Sequence, residues 1–321
     1  MSTAQIPFLR FAPIYQSRVW GGRRLADQFH RKLPAPETPF GEAWEISARE
    51  EADSVVTMGP LAGRSLSALW GDSGLRESIF GLNAPDSDRF PLLCKILDAR
   101  DTLSIQVHPP ARIADSLNGE PKSEVWYIAH AEPGARLYIG VKEDVSPEKF
   151  ELALEEGAVA ECVHAIEVEA GQHIYIPSGR LHAIGAGLLI YEIQQNSDTT
   201  YRVFDWNRVG LDGTPRQLHI EESMQCIDFE DIEPSMDQPQ ESLLTDCDYF
   251  RFERHAIQPD ESVLNSLGPG FAILTVESGG LICGEEQFQS GDFLLLPAEA
   301  CEGLTAAPSG ATLLVTRWPG N

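Results

Sequence analysis

Apolar and polar positions alternate with a period of two along much of the chain. Leu103-Ser-Ile-Gln-Val-His108, Ile166-Glu-Val-Glu169 and Leu189-Ile-Tyr-Glu-Ile-Gln194 each place apolar side chains on one face and polar ones on the other, which predicts half-buried strands. Val125-Trp-Tyr-Ile128 and Phe271-Ala-Ile-Leu-Thr-Val276 are more continuously apolar and predict strands buried on both faces. Gly, Pro and Asp punctuate these runs at short intervals, so a sandwich or barrel of many short antiparallel strands is expected. Helical signals are few. Ser146-Pro147-Glu148 supplies an N-cap, a proline at the first helical position and an acid in the first turn. Phe150, Ala153 and Leu154 then form an apolar face, and Gly157 is the expected stop. A second short helix is expected within Leu61 to Trp70.

Two further patterns bear on domain organisation. Asp228, Glu230, Asp231, Glu233, Pro234 and Pro239 make an acidic, proline-bearing stretch that reads as a solvated linker. It separates an expected first domain, residues 1–230, from a second, 231–321, on which the N-terminal strands could pack. Gly171-Gln-His-Ile-Tyr-Ile-Pro177 and Gly291-Asp-Phe-Leu-Leu-Leu-Pro297 share the form Gly-x5-Pro. Each reads as a turn glycine, a strand, and a proline closing that strand at a second turn. Two copies in matching contexts predict a duplicated β domain.

Composition narrows the functional classes. The 321 residues include 24 Lys+Arg and 49 Asp+Glu, for a net charge of −25, with 42% hydrophobic and 8% aromatic residues. Such a chain folds, and its negative surface disfavours nucleic acid and membrane as partners. A small anionic substrate would need local cations or a metal to overcome the same field. The six cysteines lie no closer than 18 residues apart, which excludes CxxC zinc knuckles and a dense disulfide framework. Together with a start that lacks signal-peptide blocks, they lead us to expect a cytoplasmic protein in a reducing compartment.

Beyond Pro177 the first repeat continues as Pro177-x-Gly179-x2-His182, whereas the second reads Pro297-x-Glu299-x2-Glu302. The first copy resembles the second motif of the cupin superfamily, whose jelly rolls hold a metal inside the barrel. The expected fold is therefore mainly β: two cupin-type jelly rolls with a few short helices, the second degenerate and structural. Gln106 and His108 stand two apart on one predicted strand and share a face, and Glu124 opens the next apolar strand. With His182 they would offer two imidazole nitrogens and two oxygens, leaving an open position. That donor set suits catalytic zinc, with manganese or iron also admissible. The remaining histidines have no such company.

Longer stretches carry a more specific likeness. Phe90-Pro-Leu-Leu-Cys-Lys-Ile-Leu-Asp-Ala99, Leu103-Ser-Ile-Gln-Val-His-Pro109 and Lys122-Ser-Glu-Val-Trp-Tyr-Ile128 belong to it, as do Trp20-Gly-Gly22 and Gly41-Glu-Ala-Trp-Glu-Ile-Ser47. The longest parts are Tyr175-Ile-Pro-Ser-Gly-Arg-Leu-His-Ala-Ile184 and Tyr191-Glu-Ile-Gln-Gln-Asn-Ser-Asp-Thr-Thr-Tyr-Arg-Val-Phe-Asp-Trp-Asn-Arg208. Over about residues 13 to 208 the chain resembles type I phosphomannose isomerase in its short bacterial form. The resemblance implies a zinc-dependent interconversion of mannose 6-phosphate and fructose 6-phosphate, with Gln106, His108, Glu124 and His182 as metal ligands. It also implies catalytic roles for Asp198, Arg202 and Lys122, and places a second cation at Arg208. Ser104, Arg208 and Glu192 are candidates for binding the substrate. Pro121 stands where longer members carry a histidine proposed as the base, which leaves the base open among Lys122, Asp198, Glu192 and a metal-bound water. Aldose–ketose isomerisation moves a proton between C1 and C2 through a cis-enediol(ate), and needs such a base together with cations facing the developing charge. A phosphosugar is the expected partner and the chain a monomer or homodimer. A sugar-binding cupin without turnover and a metal cupin oxygenase are the competing readings.

Overall fold

The computed structural model describes residues 6–319, and the reading of residues 1–5 as the start of a leaderless chain lies outside them. The backbone forms two compact units, each built from separate stretches of chain. One comprises Tyr15–Ala43 and Lys95–Asp237, the other Met1–Ile14, Trp44–Cys94 and Gln238–Asn321. Among the described residues no helix is long and apolar enough to cross a membrane.

The unit containing residues 95–237 is a sandwich of two sheets. One sheet has the strand order Ile14–Gly22, Phe40–Ile46, Leu92–Ala99, Leu188–Gln195, Glu124–Ala131, His173–Ile176; the first three run through points where the backbone passes from one unit to the other. The second has the order Tyr201–Phe204, Ile105–Val107, His182–Ile184, Arg136–Val141, Val163–Glu167. Between them lies a core that draws Trp126, Ile128, Ile174 and Ile190 from one sheet and Leu137, Ile139 and Ile184 from the other. Burying those side chains is the main stabilising term. The outer face of the second sheet is not solvated either. Ile105, Val107, Ala183 and Val203 pack there beneath Phe150 and Ala153, the apolar face of helix Pro147–Glu156. That helix has the ends its sequence predicts. The Ser146 hydroxyl accepts from the Lys149 N–H at 3.2 Å, and Gly157 takes a left-handed φ of 70°, as a helix stop requires.

The other unit carries the sheet Leu243–Asp246, Arg251–Ile257, Thr305–Arg317, Ala272–Cys283, Glu286–Gln289, with Phe293–Leu296 also paired to Ala272–Cys283. Its barrel core gathers Leu274, Val276, Leu294, Leu296, Leu313 and Val315. A separate aromatic cluster in this unit joins Trp70, Phe80 and Phe90 to Phe271 and Trp318, whose rings stack at 4.3 Å. The second expected helix is shorter than its sequence window. It spans Leu66–Trp70, because Gly59 and Gly63 adopt positive φ and the chain turns there instead of coiling.

The acidic stretch differs from a free linker. Asp231 accepts two hydrogen bonds of 2.8 Å from the Arg180 guanidinium, and Asp237 accepts from the Tyr175 N–H at 2.6 Å. Met236 is buried in the sandwich core. This segment is anchored on the first unit through Asp231, Met236 and Asp237, while Asp228, Glu230 and Glu233 stay exposed as the sequence predicts.

Candidate active site

The strands of the first unit deliver polar residues to one end of the sandwich. Antiparallel register sets His182, the first residue of its strand, opposite Gln106. His108 follows two residues later on the same face. Glu124 heads its own strand, opposite Ile176 on one side and Gln194 on the other. Donor atoms of His108, Glu124 and His182 all lie within 4.8 Å of one another, and each residue is only 1% exposed. The Gln106 amide nitrogen lies 3.3 Å from His182 Nε2, so the fourth residue reaches the same point.

Hydrogen bonds fix which imidazole nitrogen is free. His108 Nδ1 lies 2.8 Å from the Thr199 carbonyl and His182 Nδ1 2.8 Å from the Arg180 carbonyl. A carbonyl can only accept, so Nδ1 carries the proton and Nε2 of each ring presents its lone pair inward. Burial, with the Lys122 charge next in weight, pushes the His108 pKa down to about 3. Burial likewise lowers His182, to about 4. Both rings are neutral ligands at neutral pH. His108 Nε2 is buried with no hydrogen-bond partner, the condition a bound cation relieves. Two imidazoles, a carboxylate and an amide oxygen fit a divalent metal with a position to spare.

Beside this group lies a cavity of ≈ 590 Å³ whose wall includes Ser104, Gln106, Lys122, Glu192, Asp198 and Arg202. Lys122 Nζ stands 3.0 Å from Glu124 Oε2. Burial alone would lower the lysine pKa, but Glu124 and Glu192 outweigh it and hold the ammonium above its ordinary range. The Arg202 Nε–H donates to Ser104 Oγ at 3.2 Å and its Nη1–H to the Gln217 carbonyl at 3.0 Å. Burial, then the neighbouring Arg216, pushes Arg202 down to about 10, still charged at neutral pH. Glu192 is buried: its Oε2 accepts from Trp126 Nε1 at 3.0 Å and its Oε1 lies 3.3 Å from Lys95 Nζ. Asp198 is exposed on the wall.

Arg208 is placed elsewhere. It donates to the Thr102 carbonyl at 2.5 Å and pairs with Asp205 at 2.9 Å, away from the cavity wall. The arginine on that wall is Arg216, held by Asp205 through contacts of 2.7 and 2.5 Å. Arg216 has no sequence signal beyond being basic. Lys95 does: a lysine inside the wholly buried strand Leu92–Ala99 is costly unless it is paired. Its ammonium reaches Glu192 and, at 3.8 Å, Glu42, which in turn accepts from Arg18 at 2.6 Å. The wall thus carries Arg18, Lys95, Lys122, Arg202 and Arg216 against Glu42, Glu192, Asp198 and Asp212. With Glu124 beside Lys122, cations and acids balance here in a chain of net charge −25, before any metal is counted.

A sequence profile of phosphomannose isomerase type I, catalytic domain, matches residues 8–120. Mannose-6-phosphate isomerase ManA of Bacillus subtilis (strain 168) is 37% identical over 301 residues, spanning 90% of this chain and 92% of the relative. The chain belongs to the type I phosphomannose isomerase family. Mannose-6-phosphate isomerase of Streptococcus mutans serotype c is 35% identical over 289 residues, spanning 87% of this chain and 89% of the relative. The crystal structure of mannose 6-phosphate isomerase from Bacillus subtilis matches with a TM-score of 0.83 at 30% identity, covering 98% of this chain and 100% of that one. In this phosphomannose isomerase the His–Glu–His group, the cavity and its cations all belong to the unit that holds residues 95–237.

Proposed function

We propose that the cavity interconverts mannose 6-phosphate and fructose 6-phosphate by moving a proton between C1 and C2 through a cis-enediol(ate). The observation that carries this reading is the buried His108–Glu124–His182 group opening beside a cation-lined cavity, in a chain of the phosphomannose isomerase family. Gln106, His108, Glu124 and His182 would hold one divalent ion, with zinc the best match to the donor set. When bound, that ion supplies Lewis-acid stabilisation of negative charge on the sugar oxygens.

The chain's own residues do the rest. Arg202 and Arg216 face the cavity as permanent cations and bind the phosphoryl group or the developing oxyanion, with Ser104 steadying Arg202. Arg208 contributes by fixing Asp205, which aims Arg216. Lys122, at 3.0 Å from Glu124, donates to a sugar oxygen. Glu192 is held by the Trp126 hydrogen bond and the Lys95 ion pair and positions substrate. Asp198, exposed on the wall, moves the carbon-bound proton. The catalytic metal-binding cupin is the unit of residues 15–43 and 95–237, rather than a contiguous 1–230, and the degenerate partner domain unites residues 44–94 with those from 238 onward. The substrate is a small phosphosugar, with neither nucleic acid nor membrane as partner, and the enzyme works in the cytoplasm as a monomer or homodimer.

A coupled assay of fructose 6-phosphate formation from mannose 6-phosphate, before and after chelation and zinc return, tests the reading. Turnover should vanish on chelation and return with zinc. A metal-replete protein with no turnover would refute the isomerase and leave a sugar-binding cupin.

A further inference from the structure

A second cavity, at the polar end of the C-terminal jelly roll, plays no part in this reaction. Strand Arg251–Ile257 pairs with Thr305–Arg317 in the register Arg251↔Arg317, Glu253↔Val315, His255↔Leu313 and Ile257↔Ala311. Residues directly opposite share a face, and Ile257, Ala311, Leu313 and Val315 all belong to the barrel core. Arg251, Glu253, His255 and Arg317 therefore sit on the interior face, which is apolar at Ile257 and ionised at Arg251. The same four residues, with Trp318, line a cavity of ≈ 700 Å³, a size usual for small-molecule sites.

The repeat shows what stands at the matching position of the first barrel. In the first barrel Ile176 pairs with Glu124; in the second Leu296 pairs with Ala272. Ala272 thus occupies the place of the acidic residue in the His–Glu–His group. Ile273 pairs with Thr316, which sets Arg317 beside Ala272. Where one barrel gathers metal-type ligands, the other gathers guanidinium groups.

Arg317 is 8% exposed, and its hydrogen bonds run to the Phe271 and Leu267 carbonyls at 3.3 and 2.9 Å. No carboxylate among the described residues forms an ion pair with it. Glu253, the nearest acid on that face, is bracketed by Arg251 at 3.0 Å and His255 Nε2 at 3.5 Å. Burial lowers the Arg317 pKa, as expected for a cation short of counter-charge. Arg251 is paired with Glu253 and, at 3.6 Å, with Asp246, so Arg317 is the cation that brings uncompensated charge to the cavity, and the two guanidinium forks offer planar donors to phosphoryl oxygens.

We propose that this cavity binds a small phosphoryl anion, either free phosphate or a phosphate monoester, through Arg317 and Arg251. The site is separate from the isomerase centre, so its test must silence phosphate binding there. The metal-loaded enzyme is titrated calorimetrically with inorganic phosphate and, separately, with fructose 6-phosphate. The proteins are wild type, an Arg202→Ala background that also carries Arg216→Ala, and that background combined with Arg251→Gln or with Arg317→Lys. The background should retain one binding event with at least one of the two probes. Arg251→Gln should weaken it about tenfold or more, the effect of losing one charge-assisted hydrogen bond. Arg317→Lys, which keeps the charge but loses the fork, should also weaken it. The single variant Arg251→Gln should turn over mannose 6-phosphate as wild type does. Retention with phosphate identifies the free anion as sufficient, and retention with the ester alone identifies a monoester site. The proposal is overturned if the background binds neither probe, or if both added substitutions leave its binding unchanged.

Discussion

In the first barrel His173–Ile176 lies antiparallel to Tyr127–Glu124, and in the second Phe293–Leu296 lies antiparallel to Thr275–Ala272. Gly171 and Gly291 precede these strands with φ of 90° and 88°. Their N–H groups donate to Ile128 and Val276 carbonyls, each at 2.9 Å. Backbone and register are the same, yet one copy carries Glu124 and His182 and the other Ala272 and Glu302. A turn glycine, a short buried strand and a closing proline maintain the barrel whatever chemistry stands on it. Chemistry resides in the few side chains at its polar end, and these can change without altering the frame.

The largest expected effect comes from removing a ligand on the side that has them. His182→Ala should lose bound metal and with it turnover. The fall in metal affinity should exceed the roughly 10–100-fold seen when only a ligand's supporting partner is lost. Glu302→Ala at the matching position of the second barrel should leave metal content and rate unchanged. Elemental analysis and the coupled assay check both, and metal loss in Glu302→Ala would break the contrast. Next in size is Arg202→Ala. It should retain its metal while kcat/KM falls about 10²–10³-fold, the range for removing one preorganised donor to developing charge. Unchanged turnover would remove Arg202 from the site.

This division between frame and chemistry also decides what the sequence disclosed. The twin Gly-x5-Pro segments, the capped helix Pro147–Glu156 and the strands around Gln106 and Glu124 follow from local rules: turn glycines, an N-cap, period-two alternation. Strand spacing puts Gln106 and His108 on one face, but Glu124 and His182 were legible as their partners only through the resemblance to the cupin motifs. What stayed hidden depends on tertiary placement. The inclusion of residues 44–94 with the C-terminal strands leaves no local trace. Arg216 and Arg208 look alike in sequence, and only the fold of the 205–216 loop decides which one reaches the cavity. Asp231 reads as solvated charge because its partner, Arg180, is 51 residues away.

The interiors of the two barrels should also differ in stability. Lys95 is buried against Glu192 and Glu42, so Lys95→Met leaves the buried Glu192 carboxylate without its cation, while Glu42 keeps Arg18. That should cost about 3–5 kcal/mol, read from the midpoint of chemical denaturation. Arg317→Met removes a cation with no carboxylate partner and only carbonyl hydrogen bonds. Its cost should be smaller, about 1–3 kcal/mol. Equal losses would mean that Arg317 is compensated as fully as Lys95.

The smallest effect tests the shared frame directly. Gly171 and Gly291 both sit near φ +90°, where an L side chain brings Cβ against its own backbone. Around Gly171 an added Cβ would meet only the Tyr127 hydroxyl, at 3.9 Å, so strain rather than collision sets the cost there. Gly171→Ala should therefore destabilise by about 1–2 kcal/mol, and Gly291→Ala, at the same φ, by a similar amount. Neither should change metal content, because neither turn carries a ligand. If Gly171→Ala cost much more than Gly291→Ala, or released the metal, frame and site would be coupled in the first barrel, and the likeness between the copies would end at the backbone.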